Sequence, residues 1–204
     1  MNTPSLRAVI FDLDGTLVDS RLDFSAMRRE LDAPRGVGLL EYVETLDTPA
    51  AQADAMAVIH RHEMTGAETA TWMPGAEEVM HGLHARRTPI AIVTRNSRKA
   101  ARLTMQRLGM PIVPLKARED AAPKPDPEAL LALAQRWGLA PSVCAYVGDF
   151  RYDIEAAERA GMLPVLYTAG QPVPSEHEGK VAVLSDFRTA PGWLTQADAG
   201  ERQG

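Results

Sequence analysis

Apolar residues follow two rhythms along this chain. In some places they stand side by side, at 8–11, 90–94, 112–115, 145–148, 164–167 and 181–184. Short runs of this kind read as buried strands. Between them, apolar residues recur at steps of three and four. Val79, Met80 and Leu83 mark a helix over 76–87. Ala100, Leu103, Met105 and Leu108 mark one over 97–108, and Leu130, Leu131, Leu133, Ala134 and Trp137 one over 127–137, with a proline near its first turn. A fourth helix, 153–160, stops at Gly161, where a left-handed C-terminal residue is favoured. The alternation predicts an α/β fold: a Rossmann-like parallel sheet with helices on both faces.

The rhythm breaks between Ser20 and Pro74. No strand is expected there, only helices over 22–31, 39–46 and 49–67. The predicted organisation is a core domain of residues 1–19 and 75–204, with a small all-helical unit, 20–74, inserted after the first strand. Asp19 then reads as a hinge residue. From Gly192 onward the chain is polar and is expected to fray.

Composition narrows the partners. A chain of 204 residues, 45% hydrophobic, suits one core domain with an insertion. A net charge of −5 argues against nucleic acid, which needs a basic face. A phosphorylated small molecule stays in play, because a local cation can outweigh global charge. No membrane span or signal pattern is visible, so a cytoplasmic location is expected. The single cysteine, Cys144, lies in the apolar run "VCAYVG" and is expected to be a buried thiol. Monomer and homodimer both remain open.

The candidate chemistry sits where strands end. "FDLDGT" closes the first strand with Asp12 and Asp14, two apart and able to project to one side. Gly15 permits a sharp turn that brings amides near an anion. An ordinary Asp-rich turn is the alternative. A calcium loop is excluded, since its sixth position, here Leu17, must be glycine. "VGDFRYD" places Asp149 after another strand and Asp153 in the first turn of a helix, where capping alone would also explain it. In an open parallel sheet the strand ends form the ligand crevice, so the four carboxylates converge. That charge calls for a divalent cation, and all-oxygen ligands fit Mg²⁺. Lys124, one of four lysines, is framed by Pro123 and Pro125 in "PKPDP". "VTRNS" ends a strand in Thr94, Arg95 and Asn96 at a helix start, suited to a phosphate oxygen or to simple capping.

Together these pieces resemble the haloacid dehalogenase superfamily. Asp12-Leu13-Asp14-Gly15-Thr16 is similar to its first motif, Thr94 to the second, Lys124 to the third, and Gly148-Asp149 with Asp153 to the fourth. "DLDGTLVDS", "PGAEEV" and "KPDPEALL" look most like the phosphoglycolate-phosphatase-like branch. The helical insertion looks like a short version of the family's cap. The resemblance implies that Asp12 attacks phosphorus and that Asp14 protonates the leaving oxygen and then activates water. It implies Mg²⁺ on Asp12, the Asp14 main-chain carbonyl and Asp149, with Asp153 binding through water or orienting the others. Thr94, Lys124 and the amides around Gly15, Thr16, Arg95 and Asn96 would hold the phosphoryl oxygens. Arg28 is the expected contact from the cap. The implied activity is Mg²⁺-dependent hydrolysis of a small phosphorylated metabolite.

Other chemistries compete. The acidic Asp14 argues against a dehalogenase, which has no leaving alcohol to protonate. Phosphonatases use a cap lysine, and no lysine precedes Lys99. A phosphosugar mutase keeps all four motifs and is the enzymatic alternative. A non-catalytic phosphate-binding regulatory protein would be expected to have lost motif acids, and none is lost.

Overall fold

All four residues of β1 (Ala8–Phe11) are buried, and the strand separates two hydrophobic layers. Val9 and Phe11 face one layer; Ala8 and Ile10 face the other. This is the two-residue period of a strand covered on both sides. The computed structural model describes residues 6–195. In chain order the elements after β1 are β2 (Val18–Asp19), α1 (Phe24–Glu30), α2 (Leu39–Glu44), α3 (Pro49–Thr69), β3 (Thr71–Trp72), α4 (Ala76–Ala85), β4 (Ile90–Val93) and α5 (Arg98–Arg107). They continue with β5 (Leu115–Lys116), α6 (Glu128–Trp137), β6 (Cys144–Gly148), α7 (Arg151–Ala160), β7 (Leu163–Tyr167), β8 (Ala182–Leu184) and α8 (Gly192–Thr195).

Six strands form a parallel sheet in the order β5-β4-β1-β6-β7-β8. Phe11 pairs with Ile92 on one side and Val147 on the other. The chain therefore runs outward from β1 in one direction through β4 and β5, then returns to build the other half from β6. β1 lies at the switch point, and the carboxyl ends of β1, β4 and β6 open into one crevice.

Helices α1 to α3 pack around their own small core of Met27, Leu39, Val43, Ala55 and Ile59. Asp23 caps α1 through the Ala26 amide, and Thr48 caps α3 ahead of Pro49 at its first position.

Three expectations need correction. The insertion does contain a strand: β3 pairs antiparallel with β2, Val18 with Trp72 and Asp19 with Thr71. Two residues per strand are too few to show a period. The run at 112–115 yields only β5, and Ile112 is 97% exposed. Pro111 and Pro114 lack the amide a ladder requires. The polar tail does not fray at Gly192, because α8 buries Leu194 in the main core; residues 196–204 lie outside the described part. Cys144 is a buried free thiol, as expected. Among the described residues, no helix is long and apolar enough to cross a membrane.

Candidate active site

The strand ends deliver the motif residues to one place. Asp12 follows β1 directly, and its amide donates to the Val147 carbonyl at 2.8 Å, which locks the turn to β6. Gly15 then adopts φ +82°, and a Cβ there would lie 2.3 Å from Asp149 Oδ2. Only glycine satisfies both the backbone and the space. Gly148 is constrained by packing instead: a Cβ would come within 2.3 Å of the Asp153 side chain.

Asp12, Asp149 and Asp153 each offer an oxygen, and the three oxygens lie within 4.8 Å of one another. Three carboxylates with no nitrogen or sulfur among them suit a hard cation such as Mg²⁺. Lys124 enters this cluster from the loop before α6. Its Nζ donates to Asp12 Oδ1 at 2.6 Å, Asp153 Oδ1 at 2.5 Å and the Tyr146 hydroxyl at 2.9 Å. Tyr146 Oη also lies 3.0 Å from Asp153 Oδ1 and 3.2 Å from the Val93 carbonyl. Asp153 Oδ2 accepts from the Phe150 amide at 3.0 Å, so this one carboxylate both caps α7 and orients Lys124.

Asp14 faces a different direction. Its Oδ2 accepts from Asn96 Nδ2, and its Oδ1 is buried without a partner. Thr94 Oγ1 accepts from the Asn96 amide at 3.1 Å, which folds the residues after β4 into a tight turn. Thr16 donates to Asp149 Oδ1 at 3.2 Å.

Burial governs the electrostatics. It pushes the Asp14 carboxyl up to about 6, against hydrogen bonds from Ser20 and Asn96 that hold it down. Desolvation also raises Asp12 well above the ordinary range; Lys124 opposes this, and Asp153 and Asp149 reinforce it. Asp149 opens onto the crevice, yet loss of water and the nearby Asp153 charge bring it to about 6. For Lys124, burial favours the neutral amine, but the Asp12 and Asp153 carboxylates outweigh it and the net shift is upward. The ammonium is thus firmly charged, and the carboxylates crowd one another for want of positive charge.

The crevice has a volume of about 810 Å³ and is walled by both the sheet domain and the helical insertion. Asp12, Asp14, Gly15, Thr94, Arg95, Asn96, Lys124, Asp149, Asp153 and Arg28 all line it. Two of these residues are less available than expected. Arg95 NH2 donates to Glu41 Oε1 of α2 at 2.6 Å, and its guanidinium lies 5.0 Å from the Tyr152 ring centroid. Arg28 reaches the wall, but its NH1 donates to the Pro34 carbonyl. Sequence reasoning missed Tyr146 and Glu63. Tyr146 had one visible signal, a hydroxyl inside an apolar run in step with Gly148. Glu63, 4% exposed on α3, accepts from Arg118 and from the Ser97 amide, and His60 Nδ1 lies 3.0 Å from Ser97 Oγ.

Known proteins resemble this chain in sequence and in fold. A family model described as haloacid dehalogenase-like hydrolase matches residues 6–161. A haloacid dehalogenase-like hydrolase domain-containing protein of Arabidopsis thaliana is 32% identical over 79% of this chain and 70% of its own length. A phosphoglycolate phosphatase of Xanthomonas campestris is 31% identical over 87% of this chain and 91% of its own. The crystal structure of a hydrolase from Pseudomonas syringae superposes with a TM-score of 0.72 at 25% identity, covering 89% of this chain and 94% of that one. The chain belongs to the haloacid dehalogenase-like hydrolases, in their phosphoglycolate-phosphatase-like branch, and is a phosphoric monoester hydrolase.

Proposed function

We propose that this chain is a Mg²⁺-dependent phosphatase that cleaves a small phosphorylated metabolite through a phospho-aspartate on Asp12. The observation that carries the proposal is the division of labour among the carboxylates. Asp12 lies against Lys124 and the acidic cluster, while Asp14, with a carboxyl near 6, stands apart on Asn96. The phosphatase relatives support the substrate class.

Asp12, Asp149 and Asp153 would hold the metal, with the Asp14 main-chain carbonyl. Mg²⁺ bound there supplies positive charge against the phosphoryl oxygens and relieves the crowding of carboxylates. Asp12 attacks phosphorus, the bond to the leaving oxygen breaks, and the protonated Asp14 gives its proton to that oxygen. Asp14, now a carboxylate, takes a proton from water. The water oxygen bonds to phosphorus, the Asp12–phosphorus bond breaks, and inorganic phosphate departs. A carboxyl near 6 can serve in both directions close to neutral pH. Lys124, Thr94 and the amides around Gly15, Thr16, Arg95 and Asn96 hold the phosphoryl oxygens. The insertion, residues 20–74, acts as a cap that limits bulk water.

Release of inorganic phosphate from a panel of phosphate monoesters tests this reading. Wild-type protein with Mg²⁺ should turn over, and chelation should stop it. Asp12→Asn should abolish turnover. A wild type as inactive as Asp12→Asn across the panel would overturn the proposal.

A further inference from the structure

With the phosphoryl group at Asp12, the rest of a substrate must occupy the remaining crevice, and the chemistry of that space is uneven. Among the described residues six large hydrophobic side chains are exposed, and three of them, Phe24, Val37 and Phe150, line this one crevice. Phe24 and Val37 come from the insertion; Phe150 comes from the loop after Asp149. Exposed apolar groups gathered in a cleft mark a ligand surface rather than chance.

Helix capping does not account for Phe150. It occupies the N-cap of α7, a position that favours Ser, Thr, Asp or Asn. The capping bond to its amide comes from Asp153, so its own side chain plays no part in the cap. The ring is 54% exposed and packs edge-on against Tyr152 at 5.2 Å between centroids. This pair forms a preformed aromatic wall beside the carboxylates.

Three of the cations that line the crevice are held by carboxylates, whereas Arg28 donates to the Pro34 carbonyl and the Arg151 guanidinium lies 5.9 and 4.8 Å from the Phe150 and Tyr152 ring centroids. Arg95 is paired with Glu41, and Arg118 with Glu63. Lys124 is held by Asp12 and Asp153. A two-carbon carboxylic acid would also leave most of 810 Å³ unfilled.

Building on the phosphatase reading, we propose that Phe150, with Phe24 and Val37, selects phosphate monoesters whose leaving group carries an aromatic or extended apolar face. The wall binds that face and aligns the ester over Asp12. Specificity therefore differs from that of a phosphoglycolate hydrolase.

A matched pair of substrates tests it. Ethyl phosphate and 2-phenylethyl phosphate have leaving alcohols of similar acidity, so their ratio of kcat/KM reports binding of the ring. Wild-type protein should favour the phenylethyl ester by about tenfold or more, and favour it over phosphoglycolate. Phe150→Ala and, on the exposed surface of the insertion, Phe24→Ser should each shrink that ratio several-fold. A ratio near one, a preference for phosphoglycolate, or a ratio unchanged in both variants would overturn the proposal. Calorimetry separates it from the reaction itself. With Mg²⁺ present, 2-phenylethylphosphonate should bind wild type more tightly than ethylphosphonate, with the difference lost in Phe150→Ala. Equal binding overturns the wall, whereas absence of turnover on every ester overturns only the phosphatase reading.

Discussion

Glu63 and Arg118 form a two-pronged ion pair between α3 of the insertion and the loop after β5, at 2.6 and 3.2 Å. The two side chains are 4% and 16% exposed. Arg118 also donates to the Arg95 carbonyl, and Glu63 accepts from the Ser97 amide. The pair thus ties the insertion to the loops that follow β4 and β5.

Removing one partner of such a pair strands a buried charge. Glu63→Ala should destabilise the protein by about 3 kcal/mol. The double variant Glu63→Ala/Arg118→Ala should lose less than the two single losses combined, because the stranded charge is gone. Urea denaturation of the four proteins of the cycle measures the coupling, and strict additivity would refute it.

Asp14 gives a pH dependence with a definite sign. Its folded-state carboxyl is near 6, above the ordinary 3.8, so ionising it costs folding free energy. Below about 4 both states hold the proton and no cost exists. The cost grows as pH rises between the two values and is complete above 6. Asp14→Asn should therefore be more stable than wild type at pH 8 by about 3 kcal/mol, with the gap closing towards pH 4. The same variant should lose turnover at every pH. Denaturation of the metal-free proteins across pH 4–8 measures the gap, and one that widens on acidification contradicts this account.

Gly15→Ala should leave a folded protein with a damaged site. The substitution places a methyl group against Asp149 Oδ2 at a backbone φ of +82°. The expected cost is about 1–2 kcal/mol of stability, together with at least tenfold weaker Mg²⁺ binding. Melting curves and Mg²⁺ titration separate the two effects. Unchanged metal affinity would show that Asp149 can move aside without consequence.

Tyr146→Phe removes the hydroxyl that Lys124 and Asp153 share. The expected stability loss is about 1–2 kcal/mol. Turnover should fall several-fold in kcat with KM little altered, since the hydroxyl positions the ammonium rather than touching the leaving group. A change confined to KM would assign Tyr146 to substrate binding instead.

Much of this site is legible in the sequence because its chemistry demands particular side chains at strand ends. Asp12, Thr94 and Asp149 each follow a buried strand, and parallel topology then brings those ends together. Arg95 was legible as a neighbour of the crevice but not as the partner of Glu41, because a side chain's direction depends on what packs across from it. Glu63 was hidden for the same reason. On its own helix it reads as one more charge, and only the fold supplies Arg118 and Ser97. The short ribbon of β2 and β3 carries too few residues for any pattern, and Leu194 is a single apolar residue in a polar stretch whose burial depends on α4 and the sheet.

That ribbon has a topological consequence. Asp19 and Thr71 face each other across an antiparallel pair, so the chain departs and returns at points about 5 Å apart. A two-residue turn spans such a gap. Everything between the two residues is therefore a cassette, removable without cutting any strand of the main sheet. The clustered carboxylates Asp12, Asp149 and Asp153 stay with the part that remains, while Phe24 and Val37 leave with the cassette. On the reading proposed above, the residues that break the phosphate ester lie on one side of a narrow seam, and much of the choice of ester lies on the other.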